Sequence, residues 1–272
     1  MLWLSVLATG RRAAIGGLCV STSFAATAGS AGVSRPLADA ILLSDADFYA
    51  QFPYRTVADV LPFLRECARE GDPDSVVAAL DLWAARYPMY QISATKGAIL
   101  DGALRRASPN IAVEIGSFIG YSAVRMARAL PRTARLVCVE ASPDFAEVAR
   151  SVVAYAGLDA TFVVAKASDC VPRLAELAGD DPIDFLFLDH AKEAYLADLQ
   201  RLEAANLVRN GTVVLADNVR YPGAPGFLDY VVPPRYDTQL VDAPYEAVGW
   251  ETNWKVVDDA MSISTRLALL SQ

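Results

Sequence analysis

The chain has 272 residues, 54% hydrophobic and 21% charged, enough apolar material to bury a core and too much for a disordered polymer. Its 24 Lys and Arg stand against 32 Asp and Glu, a net charge of −8, so the basic footprint of a nucleic-acid binder is missing. Cys19, Cys67, Cys138 and Cys170 are widely spaced and His190 is the single histidine, which excludes multi-histidine metal sites, zinc-type cysteine pairs and most His-based triads.

Residues 1–38 contain no acid and no lysine, only Arg11, Arg12 and Arg35 among Ala, Gly, Ser, Thr and Leu. A membrane span needs about 20 predominantly apolar residues, and Ser21, Thr22, Ser23 and Thr27 interrupt this one. The segment reads as a leader, either an organelle transit peptide, a secretory or twin-arginine signal or a weak membrane anchor. The alternative is a disordered tail, in which case the protein is cytoplasmic. Residues 1–50 are therefore set apart from a domain over 51–272.

Helical spacing begins at Tyr54–Glu70, with Val57, Val60, Leu61, Leu64 and Cys67 on one face. Gly71-Asp72-Pro73-Asp74 is a stop and a start, with Asp74 or Ser75 as cap of a helix over Ser75–Arg86. A third helix over Lys96–Ala107 completes an N-terminal helical cap, residues 51–108. From 109 onward strands and helices alternate: strand Ile111–Ile115, helix Tyr121–Leu130, strand Arg135–Val139, helix Pro143–Ala156, strand Thr161–Val164, helix Asp169–Leu177, strand Ile183–Leu188, helix Leu196–Ala205, strand Gly211–Ala216. This is the pattern of βαβ units in a doubly wound α/β parallel sheet. The runs at Ile183–Leu188 and Gly211–Ala216 suit central strands buried on both faces. Past Pro222, Asp237–Val241 and Ala260–Leu267 supply closing antiparallel strands.

Ligands of such sheets sit beyond the carboxyl ends of the strands. After the first strand comes Gly116-Ser117-Phe118-Ile119-Gly120, which matches neither G-x-G-x-x-G nor a P-loop. It also reads as a plain turn. At the end of the second strand stands Glu140, an acid where a ribose diol is gripped, or else a solvated acid opening the helix at Ser142-Pro143. Glycine loop and acid without a phosphate motif favour a nucleoside lacking a pyrophosphate, which fits S-adenosylmethionine. Asp189 after the fourth strand, and Asp217 and Asn218 after the fifth, present hard oxygen donors at one rim, suited to Mg²⁺. Each acid taken singly also serves as a helix cap. Lys192, three residues past Asp189, reaches the same place, or else is a surface lysine. A nearby dication and sulfonium disfavour its charged form, which suits a base.

The stretches Glu114-Ile115-Gly116 and Gly120-Tyr121-Ser122-Ala123-Val124-Arg125-Met126-Ala127-Arg128 closely resemble the catechol O-methyltransferase family. So do Phe187-Leu188-Asp189-His190, Leu215-Ala216-Asp217-Asn218-Val219 and Pro222-Gly223-Ala224-Pro225. The resemblance runs from about Arg55 to the end of the chain. It implies a class I methyltransferase fold, a mostly parallel, seven-stranded Rossmann-like sheet, and Mg²⁺-dependent methyl transfer from S-adenosylmethionine to a phenolic oxygen of an aromatic diol. By the same resemblance Asp189, Asp217 and Asn218 are metal ligands and Lys192 is the general base. Ile92, Glu114, Gly116, Ser122, Glu140, Ala141, Ser168, Asp189 and His190 bind the cofactor. Lys192, Asn218, Pro222 and Glu251 face the acceptor, with Thr252 as the alternative to Glu251. Where the family has Ala-Ser-Gln in its adenine loop, this chain has Lys166-Ala167-Ser168-Asp169.

The departures lie on the acceptor side. Ala191 stands where animal members of the family have a tryptophan wall, and Pro88-Met89-Tyr90 replaces a segment bearing a second one, with Tyr90 or Tyr87 as its substitute. Expected partners are a small aromatic diol and, through the leader, a membrane, with no nucleic acid and a monomeric chain. Two other readings stay open. One is a non-catalytic descendant binding cofactor or a membrane partner, supported by Ala191; the other is a nicotinamide oxidoreductase, opposed by the missing pyrophosphate fingerprint.

Overall fold

The computed structural model describes residues 56–87, 90–248 and 254–268, together with residues 43, 44, 47, 50 and 51. The leader over 1–38, Tyr54, Arg55, Pro88, Met89, Glu251 and Thr252 lie outside the described residues. Three helices come first, α1 (Val60–Cys67), α2 (Pro73–Arg86) and α3 (Ala94–Ala107). The alternating region follows: β1 (Ile111–Ile115), α4 (Tyr121–Ala129), β2 (Arg135–Glu140), α5 (Pro143–Tyr155), β3 (Thr161–Val164), α6 (Val171–Ala178), β4 (Phe185–Leu188), α7 (Tyr195–Ala204) and β5 (Val213–Ala216). A short α8 (Phe227–Tyr230) leads to β6 (Tyr236–Asp242), β7 (Tyr245–Val248), β8 (Trp254–Val257) and β9 (Ala260–Arg266).

The main sheet has seven strands in the order β3-β2-β1-β4-β5-β9-β6. Its first five strands are parallel, and β9 runs antiparallel to both β5 and β6. This is the expected mostly parallel seven-stranded architecture with closing antiparallel strands. The order reverses between β1 and β4, and the crevice beyond their carboxyl ends is where such a sheet receives a ligand. A separate hairpin pairs β7 with β8, which the loosened pattern after Pro222 did not announce.

Every residue of β4 is buried, and successive side chains enter different cores. Phe185 and Phe187 join Phe63, Trp83, Leu100 and Met126 beneath the helical cap. Leu186 and Leu188 join Tyr195, Leu199, Phe227 and Tyr236 on the opposite face. The cap is thus part of one of the two layers that bury the sheet.

The structure corrects several boundaries. The first helix is shorter than Tyr54–Glu70: a 3-10 turn occupies Val57–Asp59, α1 stops at Cys67, and Ala68 is extended. There Ser75 Oγ accepts the Arg69 N–H at 3.0 Å and draws the chain out of the helix. The cap of α2 is Asp72, not Asp74 or Ser75; its side chain accepts from the Ser75 N–H at 3.1 Å. Pro73 then takes the first helical position, where its missing N–H leaves nothing unpaired. Similarly, α3 starts at Ala94 because Ser93 accepts from the Lys96 N–H at 3.3 Å. Ile183 and Gly211 fall outside their strands because their N–H groups bond Leu207 O and Arg266 O. Among the described residues no helix is long and apolar enough to cross a membrane.

Candidate functional site

The crevice holds a cavity of about 660 Å³ bordered by loops at the carboxyl ends of β1, β2, β3 and β4. Of the expected cofactor residues, Ile92, Gly116, Ser122, Glu140, Ala141, Ser168, Asp189 and His190 all line it. Gly116 (φ +98°) leaves β1 in the left-handed region, and a Cβ there would sit 2.5 Å from the Asp189 carbonyl oxygen. The loops after β1 and β4 therefore touch through the one residue type that permits both the dihedral and the approach. Glu140 Oε2 accepts the Phe118 N–H at 2.9 Å, and Oε1 accepts the Ser142 N–H at 2.9 Å. The acid thus holds the cap residue Ser142, whose own side chain opens the next helix by accepting the Phe145 N–H. It also pins the glycine loop, and a carboxylate has lone pairs left for a diol.

Glu114 is not on the lining but behind it, fully buried in β1. Neither of its oxygens has a donor in hydrogen-bonding geometry. Burial pushes its carboxyl up to about 7, and the nearby Ser122, Cys138 and Ser117 side chains only partly oppose this. An uncompensated buried acid is costly unless a cation or donor arrives. Ser117 Oγ and His190 Nδ1 are likewise buried without a partner. His190 Nε2 lies 2.9 Å from Asp198 Oδ2. Because an ionised carboxylate only accepts, the imidazole proton belongs on Nε2, leaving Nδ1 as the orphan.

The rim beside this cavity carries the other expected residues. Lys192 Nζ contacts Asp189 Oδ1 at 2.6 Å. Lys96 Nζ, from the first turn of α3, lies 2.7 Å from Asp217 Oδ1, a charge contact without hydrogen-bond alignment, and donates to Asp259 Oδ2 at 2.6 Å. Burial and the neighbouring Asp217 charge push Asp189 above the usual carboxylate range, against the pull of Lys192. Burial would lower the Lys96 ammonium, but Asp217 and Asp259 together hold it above its ordinary value. The Tyr195 hydroxyl sits 2.8 Å from Leu188 O and 3.2 Å from Asp217 O, clamping the ends of β4 and β5 together. Asn218 (φ +56°) is left-handed and donates from Nδ2 to Asp259 Oδ2 at 2.9 Å.

Among the described residues no three His, Cys, Asp or Glu side chains gather as a metal cluster. The set expected there is mixed, the two carboxylates of Asp189 and Asp217, whose charges interact, with the amide oxygen of Asn218. These are hard donors of the kind Mg²⁺ takes, and an all-carboxylate cluster is not required for it. Three carboxylates (Asp189, Asp217, Asp259) face two ammonium groups (Lys96, Lys192), and that deficit of positive charge fits a cation.

Tyr87 packs against Trp83 at 4.4 Å between ring centroids and is buried, so it cannot replace the missing tryptophan wall. Tyr90 borders the cavity, 80% exposed, with its ring edge against Phe118. Ala191 lines the cavity too, whereas Lys192, Asn218 and Pro222 stand outside its lining. Sequence reasoning missed Phe118, Phe145, Lys96, Asp198 and Asp259. A lysine in a helix's first turn and an Asp-Asp pair before a strand carry no signal that distinguishes them from surface residues.

A family model described as O-methyltransferase matches residues 79–229. Catechol O-methyltransferase of Bos taurus is 44% identical over 176 residues, 63% of this chain and 64% of that protein. Catechol O-methyltransferase of Sus scrofa is 47% identical over 138 residues, 50% of this chain and 74% of that protein. The chain thus spans less than two thirds of the bovine relative's length. The crystal structure of the O-methyltransferase from Bacillus cereus in complex with SAH superposes with a TM-score of 0.57 at 25% identity, covering 82% of this chain and 100% of that one.

Proposed function

The chain belongs to the O-methyltransferase family, and on that footing we propose that it transfers a methyl group from S-adenosylmethionine to one hydroxyl of a catechol-type aromatic diol, with Mg²⁺ held by Asp189, Asp217 and Asn218. The observation that carries this reading is one of adjacency: a nucleoside-sized cavity backed by the unpartnered Glu114 carboxylate shares Asp189 with a rim of oxygen donors and Lys192.

In this reading Glu140 grips the ribose hydroxyls and Gly116 lets the backbone approach the methionine end. Glu114 supplies negative charge behind that end, facing the ammonium group of the cofactor, and Ser122 donates there. Ala141, Ser168 and His190 border the adenosine, and Ile92 packs against the cofactor from the cap side. When bound, Mg²⁺ would supply the charge that makes a phenolic hydroxyl more acidic. Lys192 takes that proton on Nζ as the hydroxyl oxygen forms its bond to the methyl carbon and the carbon–sulfur bond breaks. Lys192 rests as the ammonium counter-charge of Asp189, so it must release a proton to solvent before its free amine can take the phenolic one. Much of the acceleration comes from holding oxygen, carbon and sulfur in line. Pro222 and Tyr90 wall the acceptor, and Ala191 widens it where a tryptophan would narrow it, which suits a bulkier diol. Glu251, outside the described residues, is assigned to the second hydroxyl.

The test is a methyl-transfer assay on the purified chain, using labelled S-adenosylmethionine and a panel of catechols, flavonoids and hydroxycinnamates, with and without excess chelator. Transfer to vicinal diols that stops with chelator is expected. Lys192→Met should lower kcat by roughly 10²–10⁴-fold while SAH affinity, measured by calorimetry, stays near wild type. Undiminished transfer in chelator would remove the metal from the scheme, and an inactive protein that still binds SAH would favour the non-catalytic reading.

A further inference from the structure

We propose that Asp259, a residue outside the ligand set, is a positioning residue that decides which end of the Asn218 amide faces the metal. The inference rests on the metal reading above. Asp259 is fully buried at the start of β9 and collects four donors. Its Oδ2 accepts from Lys96 Nζ at 2.6 Å and Asn218 Nδ2 at 2.9 Å. Its Oδ1 accepts the N–H groups of Arg220 at 3.2 Å and Tyr221 at 3.0 Å.

The chemistry of those partners fixes the amide. An Asn side chain has a donor end and an acceptor end of nearly equal size, so packing alone does not choose between them. An ionised carboxylate accepts only. Turning the Asn218 oxygen toward Asp259 would set two acceptors against each other in a buried place, whereas turning Nδ2 toward it makes a charge-assisted bond and leaves the oxygen facing away. The oxygen, not the nitrogen, is the end a hard cation binds. The two backbone bonds to Oδ1 hold the chain just after Asn218, whose own backbone sits in the left-handed region, and so fix where the amide begins. Lys96 completes the arrangement: one ammonium links Asp259 to Asp217 and keeps both acids compensated in the interior. Among the described residues the hydrogen bond that sets this orientation does not come from the carboxyl ends of the parallel strands themselves. It arrives from the last strand of the sheet.

The experiment uses the whole chain with Mn²⁺ as probe, followed by electron paramagnetic resonance of the free ion, alongside SAH calorimetry and thermal melts. Three variants form a cycle: Asp259→Asn, Asn218→Asp, and the double exchange that puts the acid at 218 and the amide at 259. Asp259→Asn removes the director and should weaken Mn²⁺ binding roughly 10–100-fold, the usual scale for an outer partner of a metal ligand, with SAH affinity within about twofold. Asn218→Asp should also weaken it, although a carboxylate is ordinarily the better ligand, because it brings two acids together. The double exchange restores one donor facing one carboxylate and should recover most of the loss. A folded Asp259→Asn protein with wild-type Mn²⁺ affinity overturns the inference. So does a double exchange that melts like wild type and still fails to bind Mn²⁺, or one that fails to fold. If the single variants do not fold, the double exchange alone decides: Mn²⁺ binding supports the inference. A wild-type chain that binds SAH but no Mn²⁺ sinks the metal reading itself, a result distinct from any of these.

Discussion

Replacing Glu114 with Gln isolates the cost of keeping an uncompensated acid inside the sheet. Burial lifts its carboxyl from 4.5 to about 7 in the cofactor-free protein. The folded state therefore holds this proton more tightly than the unfolded chain does. The stability tied to the group is fully present below the unfolded value and drains away as pH rises through about 7. At about 1.4 kcal/mol per pKa unit the full loss is about 3.5 kcal/mol, of which about 2.5 kcal/mol falls between pH 5 and pH 8. No discount for solvent applies, because the side chain is fully buried. Gln has nearly the same shape and no charge, so it escapes the loss. Thermal melts of both proteins, free of cofactor, should be compared at pH 5 and pH 8. The difference in Tm between variant and wild type should shift in favour of the variant by roughly 5–10 °C across that interval, taking about 2–4 °C per kcal/mol. Titrating groups remote from Glu114 are common to the two proteins and cancel in the comparison, whereas Asp189, whose charge acts on Glu114, contributes to the difference. SAH binding should weaken in the variant most clearly at pH 8, where the wild-type carboxyl is ionised, because in the proposed function that charge faces the ligand's ammonium. Melting curves that keep a constant separation from pH 5 to pH 8 would show that Glu114 is not an uncompensated acid, and the assignment of its oxygens to a cofactor cation would fall with it.

Two further substitutions probe the cofactor side. Gly116→Ala adds a Cβ 2.5 Å from backbone oxygen at a φ of +98°, and the left-handed dihedral alone costs about 1–2 kcal/mol. Its Tm should drop by several degrees and calorimetry should find SAH binding at least tenfold weaker; wild-type values for both would mean the two loops are not in contact. Glu140→Ala unpins the Phe118 and Ser142 N–H groups, and hydrogen bonds to a charged group are worth about 1.5–3 kcal/mol each. SAH affinity should fall by roughly 10²-fold while Mn²⁺ affinity holds, and an equal loss of both would assign Glu140 to general integrity rather than to the nucleoside.

What could be read in advance follows from how local each signal is. The parallel strands announce themselves because they are buried on both faces and so become continuous apolar runs, as at Phe185–Leu188. Since ligands of this architecture gather beyond the carboxyl ends, the residues that follow those runs, Gly116, Glu140, Asp189 and Asp217, were legible as a group. Helix ends were less so. The boundary after Cys67 depends on Ser75 Oγ reaching back to the Arg69 N–H, a contact between loop and next helix. Tyr87 and Tyr90 were indistinguishable until packing put one against Trp83 and left the other in the open. Least legible was the pairing of Lys96 with Asp259, separated by 163 positions. Each looks solvated in its own neighbourhood, and only the insertion of β9 between β5 and β6 makes them partners.

That insertion has a consequence for the order in which the molecule acquires its parts during synthesis. Everything that borders the nucleoside cavity lies between residues 90 and 201, and leaves the ribosome well before Asp259 does. A chain ending short of β9 lacks both the acid that Lys96 and Asn218 contact and the strand that joins β5 to β6, so the rim beside Asp217 is the last part of the molecule to be completed.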